Sequence, residues 1–245
     1  MTYKKLLSTN HKLSKQESRW HLSGLSFAPN DQSGHNVCTH STPACRKACV
    51  LWYSGRTNSP SVRKAMIART LRFFKDRKQF LTDLHLELSK HASLGRDGKP
   101  VYARLNTASD IPWELIDPTL FDHPIVFYDY TKIATRWLRQ LNERTIPDNY
   151  QLTYSWSEES RWETVKQGLD RGLNCAVVFD TEYNPQHGRI GKLPKTWRGY
   201  KVVNGDRHDV RIRRYDGRGR IIGLRGKGGG KIVQDGLDSG FIQAG

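Results

Sequence analysis

No apolar run in the 245 residues approaches the length that a bilayer-spanning helix needs. The first residues, MTYKKLLSTNHKLSKQ, lack the apolar stretch and small-residue cleavage site of a secretory leader, so the expected setting is the cytoplasm and no membrane partner is expected. Cysteine is scarce too, with four in all, and three of them sit together. That is not the even, spread set of a disulfide framework in a short secreted chain. The closing glycine-rich stretch, GKGGG at 226–230, lacks the G-x4-G-K-[ST] spacing of a Walker loop, which argues against nucleotide hydrolysis. Its backbone amides could still approach a phosphate.

Acidic side chains are also in short supply. There are 24 Asp and Glu against 40 Lys and Arg, a net charge of +16. The excess is uneven: residues 189–231 hold fourteen Lys or Arg against three Asp, and residues 56–78 hold eight against one. Such blocks fit a polyanion whose phosphates are neutralised with release of counterions, so nucleic acid or a phosphorylated substrate is the expected partner. A basic but merely solvated surface is the plainer reading of the same numbers.

What is present is the stretch C-T-H-S-T-P-A-C-R-K-A-C at 38–49, with Cys38, Cys45 and Cys49 spaced C-x6-C-x3-C. Thiolates are preferred ligands of zinc and of iron–sulfur clusters, and this spacing lets one loop direct three sulfurs to a point. Arg46 and Lys47 lie between the second and third thiols and would favour their deprotonated form. Metal binding is the leading expectation. Three sulfurs leave one coordination position, which His35 or His40 could fill on zinc, or which a four-iron cluster could keep for a small molecule. Cys175, in an apolar run, reads as a core residue.

Along the chain, strand, polar tip and helix alternate. Expected strands cover residues 22–27, 101–105, 125–128, 151–154, 175–179, 201–203 and 221–224. Helical periodicity covers 61–90, with a break near Asp76, and recurs around Trp113, Trp137 and Trp162. This βα rhythm predicts an α/β fold: a closed or partial TIM-type (β/α) barrel with the cysteine loop after the first strand, or failing that an open doubly wound sheet. Residues 1–19 read as a basic arm and 20–245 as one barrel-like domain. Within it, residues 210–224 are expected to form a basic hairpin turning at Asp216–Gly219. The expected strand ends carry Asn106, Asp110, Asp129, Lys132, Ser157, Glu158, Asp180, Asp206 and Lys227. Any one of these is commonly a cap or a turn residue; as a set on one rim they suggest a site.

Cysteines after the first strand of such a barrel resemble the radical-SAM enzymes, whose spacing is C-x3-C-x2-C. That resemblance implies a 4Fe-4S cluster on Cys38, Cys45 and Cys49. It also implies S-adenosylmethionine positioned by Asn106, Ser109, Asp110, Ser155 and Ser157, with Asp129, Lys132, Glu158, Asp206 and Lys227 in the catalytic set. More closely, RLNTASDIPWE (104–114), VFYDYTK (126–132), LTYSWSE (152–158) and IIGLRGKG (221–228), with the three cysteines, resemble a family of uncharacterised bacteriophage-encoded proteins. This implies a protein at work in a host cytoplasm.

The expected function is therefore an iron–sulfur, radical-SAM-like enzyme modifying a nucleotide or nucleic acid. The alternative is a zinc-stabilised nucleic-acid-binding or host-takeover protein without catalysis. A third possibility is a hydrolase that holds a divalent ion on Asp110, Asp129, Glu158 and Asp206.

Overall fold

The computed structural model of the chain describes residues 5–8, 19–49, 59–142, 145–184, 188–189, 191–227 and 230–245. Most of the expected basic arm, the aromatic pair Trp52 and Tyr53, the turn at 54–58, and residues 228–229 of the glycine-rich stretch lie outside the described residues.

Twelve strands and eight α-helices occur among the described residues. The strands are β1 (Leu7–Ser8), β2 (His21–Leu25), β3 (Val101–Arg104), β4 (Val126–Thr131), β5 (Tyr150–Ser155), β6 (Cys175–Phe179), β7 (Tyr183–Asn184), β8 (Gly188–Arg189), β9 (Thr196–Trp197), β10 (Tyr200–Asn204), β11 (Ile221–Arg225) and β12 (Ile242–Gln243). The helices are α1 (Pro43–Lys47), α2 (Pro60–Lys75), α3 (Arg77–Ala92), α4 (Trp113–Ile116), α5 (Ala134–Leu138), α6 (Trp162–Asp170), α7 (Arg213–Asp216) and α8 (Gly230–Ser239). None of these helices is long and apolar enough to cross a membrane.

Ten strands form a mostly parallel sheet in the order β1-β2-β3-β4-β5-β6-β11-β10-β9, with β12 added to β6; β7 and β8 pair separately. The fold is α/β as expected, but the sheet is open and the TIM-type barrel is not formed. Its outermost strands explain this. β1 and β9 are two residues long and pair antiparallel to their neighbours, whereas a closed barrel continues full-length strands in one register.

The chain divides into two compact units, each described by itself: residues 1–39, 59–129 and 143–151, and residues 40–58, 130–142 and 152–245. In the first unit, the long helical pattern breaks where expected. Asp76 leaves helical geometry and its carboxylate accepts the Gln79 amide at 3.1 Å, so it ends α2 and caps α3. Pro60 opens α2 at a position where its missing N–H costs nothing. Phe73, Phe80, Leu84 and Leu88 point inward and are fully buried. Phe73 and Phe80 pack with Phe27 and Trp113, ring centroids 5.3–6.1 Å apart. Burying each such ring stabilises the fold by about 2–3 kcal/mol.

In the second unit β6 is central, and its near-continuous apolar run is what a strand covered on both faces requires. β5 pairs with the first half of β6 (Tyr154 with Cys175, Ser155 with Ala176). β12 pairs with the second half (Ile242 with Val178, Gln243 with Phe179), so β5 leaves the sheet where β12 takes its place. The expected basic hairpin at 210–224 is corrected by the same pairing. Residues Arg213–Asp216 are helical, and β11 runs parallel between β6 and β10 instead of folding back on 210–212. A buried strand of Ile221, Ile222 and Gly223 gains more from two parallel neighbours than from one arginine-rich arm.

Candidate functional site

In the first unit, the turn after β3 gathers five of the residues singled out by sequence. Asp129, expected at a strand tip, lies inside β4 and is fully buried. Its Oδ1 accepts the Asn106 amide at 2.8 Å, and its Oδ2 accepts Asn106 Nδ2 at 3.2 Å and the Tyr150 hydroxyl at 2.8 Å. A carboxylate offers about four acceptor positions, and at least three are taken by protein donors, with Arg104 Nε a further 3.9 Å from Oδ1. Asn106 Oδ1 in turn accepts Ser109 Oγ at 2.7 Å and the Ile111 amide at 2.9 Å. The Asp110 amide donates to Val37 O at 2.9 Å. Cys38 Sγ donates to Ala108 O at 3.2 Å and accepts the Asn30 amide at 3.4 Å. Cys38, Asn106, Ser109, Asp110 and Asp129 thus belong to one hydrogen-bonded platform. His35, a candidate fourth ligand, lies flat on Phe74 with centroids 4.1 Å apart.

The second unit holds three further groups. Thr42 caps α1: its Oγ1 accepts the Cys45 amide at 3.3 Å and donates to Glu158 Oε2 at 2.8 Å. Glu158 Oε1 accepts the Ala44 amide at 2.9 Å. A negative charge at the first turn satisfies amides that have no partner within the helix. Cys45 packs beside Ala44, Val233, Phe241 and Ile242, which ties α1 to α8 and β12. Lys132 Nζ donates to Ser155 Oγ at 3.1 Å and to the Ser155 and Trp156 carbonyls at 3.3 and 3.4 Å, and stands 5.1 Å above the Phe241 ring. The Ser157 amide donates to Ser160 Oγ at 2.9 Å. The remaining group joins the ends of β10 and β11. There Asp206 Oδ2 accepts the Arg225 amide and Nη1, both at 3.1 Å, and Lys227 Nζ stands 3.9 Å from Oδ1.

All four cysteines are unbridged. Cys38 belongs to the first unit, and Cys45 and Cys49 to the second. Within neither unit do three His, Cys, Asp or Glu side chains of the described residues gather into a metal-holding group. Cys175 is fully buried, and burial pushes its thiol up and out of the physiological range, as a core residue requires.

The model of the family described as Gene product 88 matches residues 2–245. The chain belongs to that family. Gene product 88 agrees with the phage-type resemblance of the quoted motifs, and every expected site residue lies within the matched span. Searches of curated proteins and of solved structures found no match.

Two features of this Gene product 88 chain escaped the sequence reading. One is the capped helix α1, whose signal was Thr42–Pro43, a capping residue followed by proline at the first helical position. The other is the β9–β10 hairpin, whose first arm lies between the expected strands at 175–179 and 201–203. Its signal was Trp197-Arg198-Gly199-Tyr200, a two-residue X-Gly turn between aromatic residues.

Proposed function

We propose that this Gene product 88 protein is a metal-centred enzyme of the phage type that modifies a nucleotide or nucleic acid in the host cytoplasm. Cys38, Cys45 and Cys49 are the proposed ligands of a 4Fe-4S cluster, and S-adenosylmethionine is the proposed small-molecule partner. One observation carries this reading over the hydrolase. Asp129, Glu158 and Asp206 already accept at least two protein donors each, while the three loop thiols are unbridged. A hydrolase on rim carboxylates needs their oxygens for a divalent ion.

The donor set suits the cluster in kind: three sulfurs within twelve residues, each able to act as a thiolate ligand. When bound, a cluster of this type supplies one-electron chemistry. The chain's own residues then act by holding position. Asp129 and Asn106 fix the turn whose Ala108 carbonyl receives Cys38, and Glu158 and Thr42 fix the helix that carries Cys45. Ser155 closes β5 and Lys132 follows β4, at the carboxyl ends of the strands, the side of an α/β sheet on which ligands bind.

The zinc-stabilised nucleic-acid-binding or host-takeover reading draws support from the same hydrogen bonds. Asp129, Lys132, Glu158 and Asp206 each have a structural task that needs no chemistry. Purification without oxygen, followed by visible absorption and iron, sulfide and zinc analysis, separates the two. Violet-region absorption with about four irons per chain, lost in Cys45→Ala, is the expected result. Colourless protein with one zinc overturns the iron–sulfur reading in favour of the zinc protein, and protein with neither metal overturns both.

A further inference from the structure

The tip of the β9–β10 hairpin carries a second arrangement that the cysteine loop does not involve. Trp197 pairs with Tyr200, leaving Arg198 and Gly199 as a two-residue turn. Both have positive φ, 49° and 84°, the signature of a type I′ turn. Glycine adopts this conformation freely and asparagine tolerates it, whereas arginine rarely does. The chain therefore accepts backbone strain to place an arginine at this point.

The side chain shows what the strain accomplishes. The Arg198 guanidinium lies over three indoles at once, 4.8 Å from the Trp162 centroid, 5.0 Å from Trp197 and 5.3 Å from Trp156. The rings brace one another edge to face, Trp156 on Trp197 at 5.0 Å and Trp162 on Trp197 at 5.6 Å. Trp162 also meets Tyr200, whose hydroxyl bonds Asp170, so α6 backs the hairpin. Cation–π contact uses the face of a guanidinium and leaves its edge N–H groups available. Among the described residues Arg198 has no carboxylate within ion-pairing distance, and it is exposed. Lys195 and Lys201, also exposed, stand on the two arms of the same hairpin. The indole N–H of Trp156 is buried with no acceptor among the described groups, which leaves this cluster short of an acceptor.

We infer that the hairpin tip is a phosphate clamp for nucleic acid: the indoles hold the Arg198 guanidinium ordered, and its edge grips a backbone phosphodiester. A long cation ordinarily loses rotamer freedom when it binds, and the indole cage removes that cost beforehand. The inference rests on the nucleic-acid part of the proposed function and is independent of which metal the cysteines hold.

The test is binding of a fluorescently labelled oligonucleotide, single-stranded and as a duplex, to the full chain, by anisotropy across a salt series. Arg198→Asn is the informative variant, because Asn-Gly is the favoured type I′ pair and the hairpin survives the change. Its expected effect is about tenfold weaker binding, with a salt slope shallower by about 0.7 on the single strand. Trp162→Leu keeps the charge and loosens the cage, so its expected effect is weaker binding at an unchanged slope. Unlabelled tripolyphosphate serves as the competitor; it should displace the oligonucleotide poorly. Arg198-dependent binding of tripolyphosphate without oligonucleotide binding would reassign the clamp to free phosphates and overturn the proposal. If wild type binds and Arg198→Asn matches it in affinity and slope, the clamp is wrong while the nucleic-acid reading stands. If wild type binds no oligonucleotide, both fall.

Discussion

Glu158 Oε1 accepts the Ala44 amide at 2.9 Å across 114 positions of sequence, so a carboxylate beyond β5 holds the first turn of the short helix bearing Cys45. Its other oxygen takes the Thr42 hydroxyl at 2.8 Å. Replacing Glu158 by alanine removes two charge-assisted bonds at once. The expected loss is about 2–3 kcal/mol in urea unfolding, with faster hydrogen exchange at the Ala44 and Cys45 amides. Exchange unchanged at both amides would mean that α1 is held by its packing alone.

Asp129 serves a comparable purpose in the other unit, but deeper. Asp129→Ala strands the Asn106 and Tyr150 donors in a buried place and should cost about 3–5 kcal/mol in guanidinium unfolding. Tyr150→Phe removes one of these donors and should cost about 1 kcal/mol. A general base would show the opposite ordering: activity lost and stability kept on replacing Asp129.

Asp216 gives the protein a pH dependence of defined sign. Burial raises its carboxyl from 3.8 to about 6, opposed by Arg211, whose Nη1 is 3.2 Å away. Between those two values the folded state keeps a proton that the unfolded state has released. Stability from this group is therefore present at low pH and lost as pH rises through about 6. In Asp216→Asn the effect is absent. The difference in unfolding free energy, wild type minus variant, should fall by about 2 kcal/mol from pH ~4 to pH ~7.

Cys175 should behave unlike the loop thiols. Its buried thiol is pushed up, so almost no thiolate exists near neutral pH. Alkylation of the native protein should leave the Cys175 peptide unmodified by mass spectrometry, and labelling should appear only in denaturant. Native labelling would show that β6 opens locally.

Much of the fold was legible because it depends on neighbours in sequence. The apolar run of β6, the break at Asp76 and the closure of α6 by Gly172, with φ of 90°, are written within a few residues of each feature. The position of β11 between β6 and β10 was not legible, since residues 210–224 suit a hairpin as well as a crossover. Nor were β12 and α8, whose sense comes from pairing with β6 and packing on α1. Asp129 was misplaced at a strand tip because an exposed-looking aspartate usually marks a turn. Its burial makes sense only with Asn106 and Tyr150, 23 and 21 positions away.

By itself the sequence determined the α/β class, most strand positions, the cysteine loop, the basic excess and, through the span 2–245, membership of the Gene product 88 family. Tertiary structure alone decided that the sheet stays open, that β12 replaces β5 beside β6, and that the polar residues at the strand ends are mostly taken up in holding loops. The physical reason is range. Propensity and periodicity act over a turn or two of chain, whereas strand order and the partners of a buried carboxylate depend on contacts between residues far apart in sequence, which local pattern does not encode.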